Sequence, residues 1–242
     1  MDFPSRVLRI LAIYVAIATG AGAMAQELAG PAVVLDGDTI RIAETRIRFT
    51  GIDAPETDQI CLDKDGRRWL CGIAAREALL GLIANRPVRC RVSGEDMYGR
   101  KLATCDVAGV NISQWLVRQG LALAYVKYSS EFVADEMAAR QARRGMWAGA
   151  FVAPWDWRTR TSRTAVLGEK RSGVSLSAML APGEAPPNPG CAIKGNVNRK
   201  GERIFHVPGQ RDYERVKMNS AVKRWFCSEE EAVAAGWRKA QR

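Results

Sequence analysis

The chain has 242 residues, 47% of them hydrophobic, enough for one well-buried domain with a smaller unit beside it, and this excludes disorder throughout. Lysine and arginine outnumber aspartate and glutamate by 36 to 26, a formal net charge of +10, which suits an anionic partner. One histidine, His206, leaves none for a Ser-His-Asp triad or a multi-histidine zinc centre near the acidic motifs, so a bound metal would be held by carboxylates and carbonyls, the donors of a hard cation such as calcium or magnesium.

Residues 1–25 read as a secretory signal: Arg6 and Arg9 precede an apolar run from Ile10 to Ala18, and small residues follow to Ala23-Met24-Ala25. The run is short for a membrane span. Cleavage after Ala25 and a secreted or periplasmic protein without a stable span are expected, a retained anchor being the alternative. An even count of six cysteines suits an oxidising compartment.

From Val33 the chain becomes strand-like. An apolar run to Leu35 is followed by alternation through Thr39-Ile40-Arg41-Ile42, a turn over 43–45, and Arg46-Ile47-Arg48-Phe49. Residues 72–84 have helical spacing at Ala75, Leu79, Leu80 and Ile83. Strands are predicted over 88–92 and 102–107, joined by a polar loop with Asp96-Met97-Tyr98-Gly99-Arg100. Asn111 with Gln114 three residues on opens a second helix that Gly120 stops, and a third runs from Ser130 to Arg144, ended by Gly145. The order of strands, helix, strands and helices makes an α+β fold and suits a small closed barrel flanked by helices, although periodicity does not choose that barrel over other α+β arrangements.

Ser, Ala, Gly and Pro dominate 172–190, with Pro182, Pro186, Pro187 and Pro189 close together, as in an extended linker. The predicted organisation is a signal at 1–25, a main domain at 26–160, a linker at 161–190 and a small cysteine-containing module at 191–242. That last segment has twelve basic and six acidic residues, so the excess charge is concentrated in it. Its aromatics Phe205, Tyr213, Trp225, Phe226 and Trp237 read as a small core rather than a stacking platform.

Three segments carry candidate chemistry. Asp36-Gly37-Asp38-Thr39 alone reads as an ordinary hairpin turn, Arg48-Phe49-Thr50-Gly51-Ile52-Asp53-Ala54-Pro55-Glu56 as a solvated strand end, and Tyr98-Gly99-Arg100 as a surface loop. Brought close in space, three aspartates and a glutamate would repel one another unless arginines or a cation compensated them. A bound divalent cation does so.

In this order, together with Leu116-Val117-Arg118-Gln119-Gly120-Leu121-Ala122 and Gly145-Met146-Trp147-Ala148, these segments resemble the staphylococcal nuclease (thermonuclease) family over roughly residues 31–158. The resemblance implies an OB-type five-stranded barrel with three helices. It implies a calcium-dependent phosphodiesterase in which Asp38 and Asp53 ligate calcium, assisted by Asp36 and the main-chain carbonyl of Ala54. Glu56 would orient or deprotonate the attacking water, Arg48 and Arg100 would grip the phosphoryl oxygens, and cleavage would leave 3′-phosphate ends. All the charged catalytic positions are filled, which argues against a binding-only copy. Met97 stands where the staphylococcal enzyme carries a lysine, and the tyrosines that flank the nucleotide correspond, with altered spacing, to Tyr125 and Tyr128, beside Tyr98. The implied substrates are DNA and RNA, single strands favoured, and the implied state is a monomer.

Cys90 and Cys105 fall on the strands around the Tyr-Gly-Arg loop, Cys61 and Cys71 bracket a charged loop, and Cys191 and Cys227 lie in the tail. These pairs are one of the 15 connectivities open to six cysteines. The tail resembles a small module found behind bacterial thermonuclease domains, including proteins named for succinoglycan biosynthesis. Its basic residues suit nucleic acid or an acidic polysaccharide, so a cell-envelope role in exopolysaccharide production and a purely nucleic-acid-binding role stand as alternatives.

Overall fold

A computed structural model describes residues 26–161, 163–180, 190–198, 201–218 and 223–241; the expected signal and the proline cluster at 182–189 lie outside the described residues. In chain order the elements are β1 (Glu27–Gly30), β2 (Ala32–Val34), β3 (Thr39–Ile42), β4 (Thr45–Phe49), β5 (Ile52–Asp53), β6 (Ile60–Leu62), β7 (Arg68–Leu70), α1 (Cys71–Ile83), β8 (Val88–Glu95), β9 (Lys101–Val107), β10 (Val110–Asn111) and α2 (Ile112–Arg118). There follow β11 (Leu123–Ala124), α3 (Val133–Gln141), a 3-10 turn (Gly145–Ala148), α4 (Pro154–Arg158), α5 (Leu176–Leu180), β12 (Ile193–Val197), β13 (Arg203–His206), β14 (Arg224–Phe226), α6 (Glu229–Ala234) and β15 (Arg238–Lys239).

The principal sheet runs β1-β8-β9-β4-β3-β2, with β10 on β9, and curls into a nearly closed barrel. The five strands read from the sequence are β2, β3, β4, β8 and β9; β1, paired along β8, and the two-residue β10 add to them. Alternation on these strands places Ile40, Ile47, Phe49, Val88, Ala103 and Val107 in one interior that α1 and α2 cover with Leu79, Ile83, Ile112 and Leu116.

One pairing matters most for the site. β4 and β9 are parallel neighbours with Ile47 beside Lys101 and Arg48 beside Leu102, so the end of β4 and the loop entering β9 deliver Arg48 and Arg100 to the same rim. β5 pairs with β11, Asp53 opposite Leu123, which sets the acidic loop beside the tyrosine segment.

The helices follow their signals with one difference. Asn111 caps α2, its side chain accepting from the Gln114 amide at 3.0 Å. The third helix covers Val133–Gln141 rather than 130–144. It stops early because Arg143 adopts a left-handed φ of 50° ahead of Gly145 at 53°, a conformation that ends a helix.

The disulfides are Cys61–Cys71, Cys90–Cys105 and Cys191–Cys227. Cys90 and Cys105 are direct cross-strand partners of β8 and β9, 15 residues apart in sequence. Replacing both with alanine is expected to cost ~3 kcal/mol through the freed unfolded chain, read as a lower denaturant midpoint with a steeper slope as the uncrosslinked unfolded state expands.

The tail builds its own sheet, β14-β12-β13-β15, over a core of Ile193, Phe205, Phe226, Ala232 and Trp237. Tyr213 and Trp225 stay partly exposed and flank Lys194, whose ammonium lies 4.0 Å and 6.0 Å from their ring centroids. Within the segment expected as linker, the backbone of Leu167 pairs with Phe151, and Leu176 and Met179 of α5 are buried. The tail also touches the barrel: a Cβ on Gly201 would lie 3.0 Å from side-chain atoms of both Thr57 and Ile73, and Arg203 faces Glu77 at 3.6 Å.

Candidate active site

The turn between β2 and β3 holds the first two carboxylates. Asp36 Oδ1 accepts the Asp38 amide at 3.1 Å, which folds the turn and turns Asp38 inward. Gly37 is needed here for close packing rather than for an unusual φ. A Cβ there would lie 2.8 Å from the Ala54 Cβ and 3.0 Å from that of Ala75. Asp38 Oδ1 accepts Arg48 Nη1 at 2.9 Å and the Thr39 hydroxyl at 3.0 Å, and its Oδ2 accepts the Ala54 amide at 3.0 Å.

Arg48 extends from Asp38 to Asp53, its Nη2 reaching Asp53 Oδ1 at 2.5 Å. Burial alone would lower the Arg48 pKa, but Asp38 and Asp53 outweigh it and raise it. Asp53 is wholly buried. Burial pushes its carboxyl pKa up, against the opposing pull of Arg158 and Arg48. Asp36 rises to about 7, through burial first and the adjacent Asp38 charge second.

Glu56 stands higher on the cleft wall. Its amide donates to Gln59 Oε1 at 3.3 Å, and Gln59 is fixed in turn by donating to the Val152 carbonyl at 2.7 Å. Arg100 is aimed by a residue that the sequence marked only as part of the loop. Asp96 accepts Arg100 Nε at 2.7 Å through Oδ2 and the amides of Tyr98 and Arg100 through Oδ1.

Asp36, Asp38, Arg48, Ala54, Glu56, Tyr98, Arg100, Tyr125 and Tyr128 all line one open cleft, and Asp53 lies directly beneath it. Tyr98 and Tyr128 are exposed. Tyr125 is held by parallel stacking on Trp155, centroids 5.2 Å apart, and meets Tyr128 edge-on at 4.9 Å. The exposed Met97 sits on the same wall.

Sequence reasoning missed Arg158. It closes α4 and donates from Nε to Glu56 Oε1 at 2.5 Å and from Nη2 to Asp53 Oδ1 at 2.6 Å. The signal available was the Trp155-Asp156-Trp157-Arg158 run: two large apolar rings that must pack somewhere, with a guanidinium attached to the second.

The arrangement fits a hard divalent cation in its chemistry. Donors in reach are carboxylate oxygens, Asp53 Oδ2 is buried with no hydrogen-bond partner among the described residues, and burial together with the adjacent Asp38 charge pushes the Asp36 pKa up, a cost to the charged form that a 2+ ion relieves. Among the described residues no three side chains of His, Cys, Asp or Glu converge as a finished metal cage, so the acids present ligand atoms without a complete coordination sphere.

A family model for "Staphylococcal nuclease homologue" matches residues 46–149, and one described as ArfC matches 171–239. The chain is 43% identical over 101 residues to a succinoglycan biosynthesis protein of Rhizobium meliloti, covering 41% of this chain and 53% of that protein, about half its length. It is 37% identical over 135 residues to an uncharacterized endonuclease of Escherichia coli, covering 52% of this chain and 82% of the relative. It is 31% identical over 125 residues to a probable staphylococcal-like nuclease of Oryza sativa subsp. japonica, 50% of this chain and 35% of that one.

Proposed function

Because this chain belongs to the staphylococcal nuclease homologue family, whose domain is an OB-type α+β fold, we propose that it is a calcium-dependent nuclease hydrolysing DNA and RNA and leaving 3′-phosphate ends. The observation that carries this reading is that Arg48, Arg100 and Glu56 line one cleft with Asp36 and Asp38, Arg48 bridging Asp38 to the buried Asp53. Backbone chemistry of this kind needs no base reading.

Asp38 and Asp53, with Asp36 and the Ala54 carbonyl, would hold the ion. When bound, it supplies a positive centre that lowers the pKa of water and polarises a phosphoryl oxygen. Glu56 accepts the proton of the attacking water; the new oxygen–phosphorus bond forms as the bond to the 5′ oxygen breaks. The planar forks of Arg48 and Arg100 stabilise charge building on the phosphoryl oxygens, and Asp96 keeps the second fork pointed. Tyr98, Tyr125 and Tyr128 offer stacking faces along the rim, which favours unpaired strands over duplex.

The protein works as an exported monomer, secreted or periplasmic and cleaved after Ala25. Three disulfides support the export. Residues 26–160 form the catalytic domain and 191–242 an anion-binding module joined to it through 161–190. The succinoglycan-named relative favours a second, compatible reading in which the module engages an acidic polysaccharide of the cell envelope; gel retardation of oligonucleotide but not of polysaccharide by the isolated mature protein removes it.

The test is residues 26–242 with single-stranded DNA in calcium or in chelator, beside Glu56→Ala and Arg100→Ala. Calcium should support cleavage with 3′-phosphate products, chelator should stop it, and each variant should lose ~10²–10⁴-fold in kcat. Cleavage that persists in chelator refutes the metal assignment, and variants that cut like wild type refute the residue roles.

A further inference from the structure

Arg158 lies nine residues beyond the end of the nuclease family match, yet it lines the same cleft and its guanidinium reaches two of the acids, Asp53 and Glu56. The segment that carries it is fastened to the acid-bearing loop at several points. Trp157 is buried and donates from Nε1 to Asp58 Oδ1 at 3.2 Å, Val152 accepts from Gln59 at 2.7 Å, and Arg158 itself bridges Glu56 and Asp53. This placement is a property of the fold, because the buried Trp157 ring anchors the chain immediately before Arg158.

What Arg158 contacts is chemically specific. Its Nη2 and the Nη2 of Arg48 both donate to Asp53 Oδ1, at 2.6 Å and 2.5 Å, while Oδ2 of the same carboxylate is buried without a partner. Two guanidinium groups crowd one oxygen and repel each other. A cation seated on Asp53 Oδ2, which has no hydrogen-bond partner among the described residues, would bring a third positive centre to a carboxylate that already holds two guanidinium groups, and so competes with them in charge. Arg158 is also the more exposed of the pair, 37% against 15% for Arg48. Arg158 Nε also donates to Glu56 Oε1 at 2.5 Å, so that carboxylate oxygen stays covered while the guanidinium is in place.

We propose that Arg158 and the divalent ion are mutually exclusive partners of Asp53, so that the ion enters as the guanidinium leaves and the same movement uncovers Glu56. Metal loading and exposure of the base become one event, which confines hydrolysis to the loaded protein. The inference rests on the assignment of Asp53 to the ion and Glu56 to the water.

Calcium titration calorimetry on the folded, substrate-free chain tests it, with melting curves in chelator to verify folding. Arg158→Gln should bind calcium ~10-fold or more tightly than wild type, since a competing unit charge a few ångströms away is removed. Arg158→Lys, which keeps the charge but loses the fork, should fall between them and serves if the glutamine variant unfolds. Arg160→Gln is the charge control: Arg160 lines the same cleft but stacks on Trp157 at 4.2 Å and bonds the Trp157 carbonyl, touching no carboxylate. It should change affinity by less than about twofold, as expected of a screened charge.

Unchanged or weaker binding by Arg158→Gln overturns the competition while leaving the metal assignment intact. Equal tightening by Arg160→Gln overturns it as well, because the effect is then general charge. If neither wild type nor Arg158→Gln binds calcium, the metal assignment falls and the competition with it.

Discussion

Replacing Arg48 with alanine is expected to lower kcat by ~10²–10⁴-fold and to destabilise the calcium-free fold by ~3–5 kcal/mol. Both effects have one origin. The Arg48 fork straddles Asp38 and Asp53 at 2.9 Å and 2.5 Å, with side chains only 15%, 4% and 0% exposed. Truncation leaves two buried carboxylates facing each other with less positive charge between them, which is far costlier than losing an exposed ion pair. Arg48→Lys separates the roles. It keeps the charge and should recover most of the stability, but one ammonium cannot reach both acids and a phosphoryl oxygen as a planar fork does, so activity should stay low. Denaturant unfolding in chelator and steady-state kinetics in calcium read the two quantities. Alanine at 48 with wild-type kcat would remove Arg48 from the mechanism.

The second large effect is expected from a residue with no side chain. Gly72 begins the second position of α1, and a Cβ there would lie 1.8 Å from the Glu56 carbonyl oxygen and 2.4 Å from its carbonyl carbon. Nothing soft is available to yield. The helix start is tied through Cys71 to Cys61, and Glu56 is tied through Gln59 to Val152. Gly72→Ala therefore has to push the Glu56 backbone by about an ångström, which costs ~10²-fold in rate when a reacting group is misplaced by that much, with ~1–3 kcal/mol of stability lost to overpacking. Every charge in the cleft is retained, so a loss of kcat isolates position from chemistry. Full activity in a folded Gly72→Ala protein would mean that Glu56 needs no fixed position.

The barrel strands were legible because their alternation is local: Thr39-Ile40-Arg41-Ile42 and Arg46-Ile47-Arg48-Phe49 show which side faces in without knowledge of partners. The acids and two arginines were legible as ordered motifs. What the sequence hid depends on contacts between distant residues. Arg158 meets Asp53 and Glu56 across 105 and 102 positions, and no periodicity announces such a meeting. β6 and β7 form a small hairpin around a charged loop too short to show a pattern. Gly37 looked like a turn residue, and only the approach of Ala54 and Ala75 reveals the steric reason for it. Asp135 in α3 is buried and accepts from Arg118 at 2.5 Å and Gln114 at 3.2 Å; this tie between α2 and α3 has no local signature.

The Cys61–Cys71 bridge closes the loop that begins just past Glu56 and ends at the helix pressing on Glu56 from behind. A chain with this crosslink still open lacks the pin that holds the Glu56 backbone against its backing. How firmly Glu56 is seated thus depends on the redox state of a pair ten residues apart, which an oxidising compartment keeps closed.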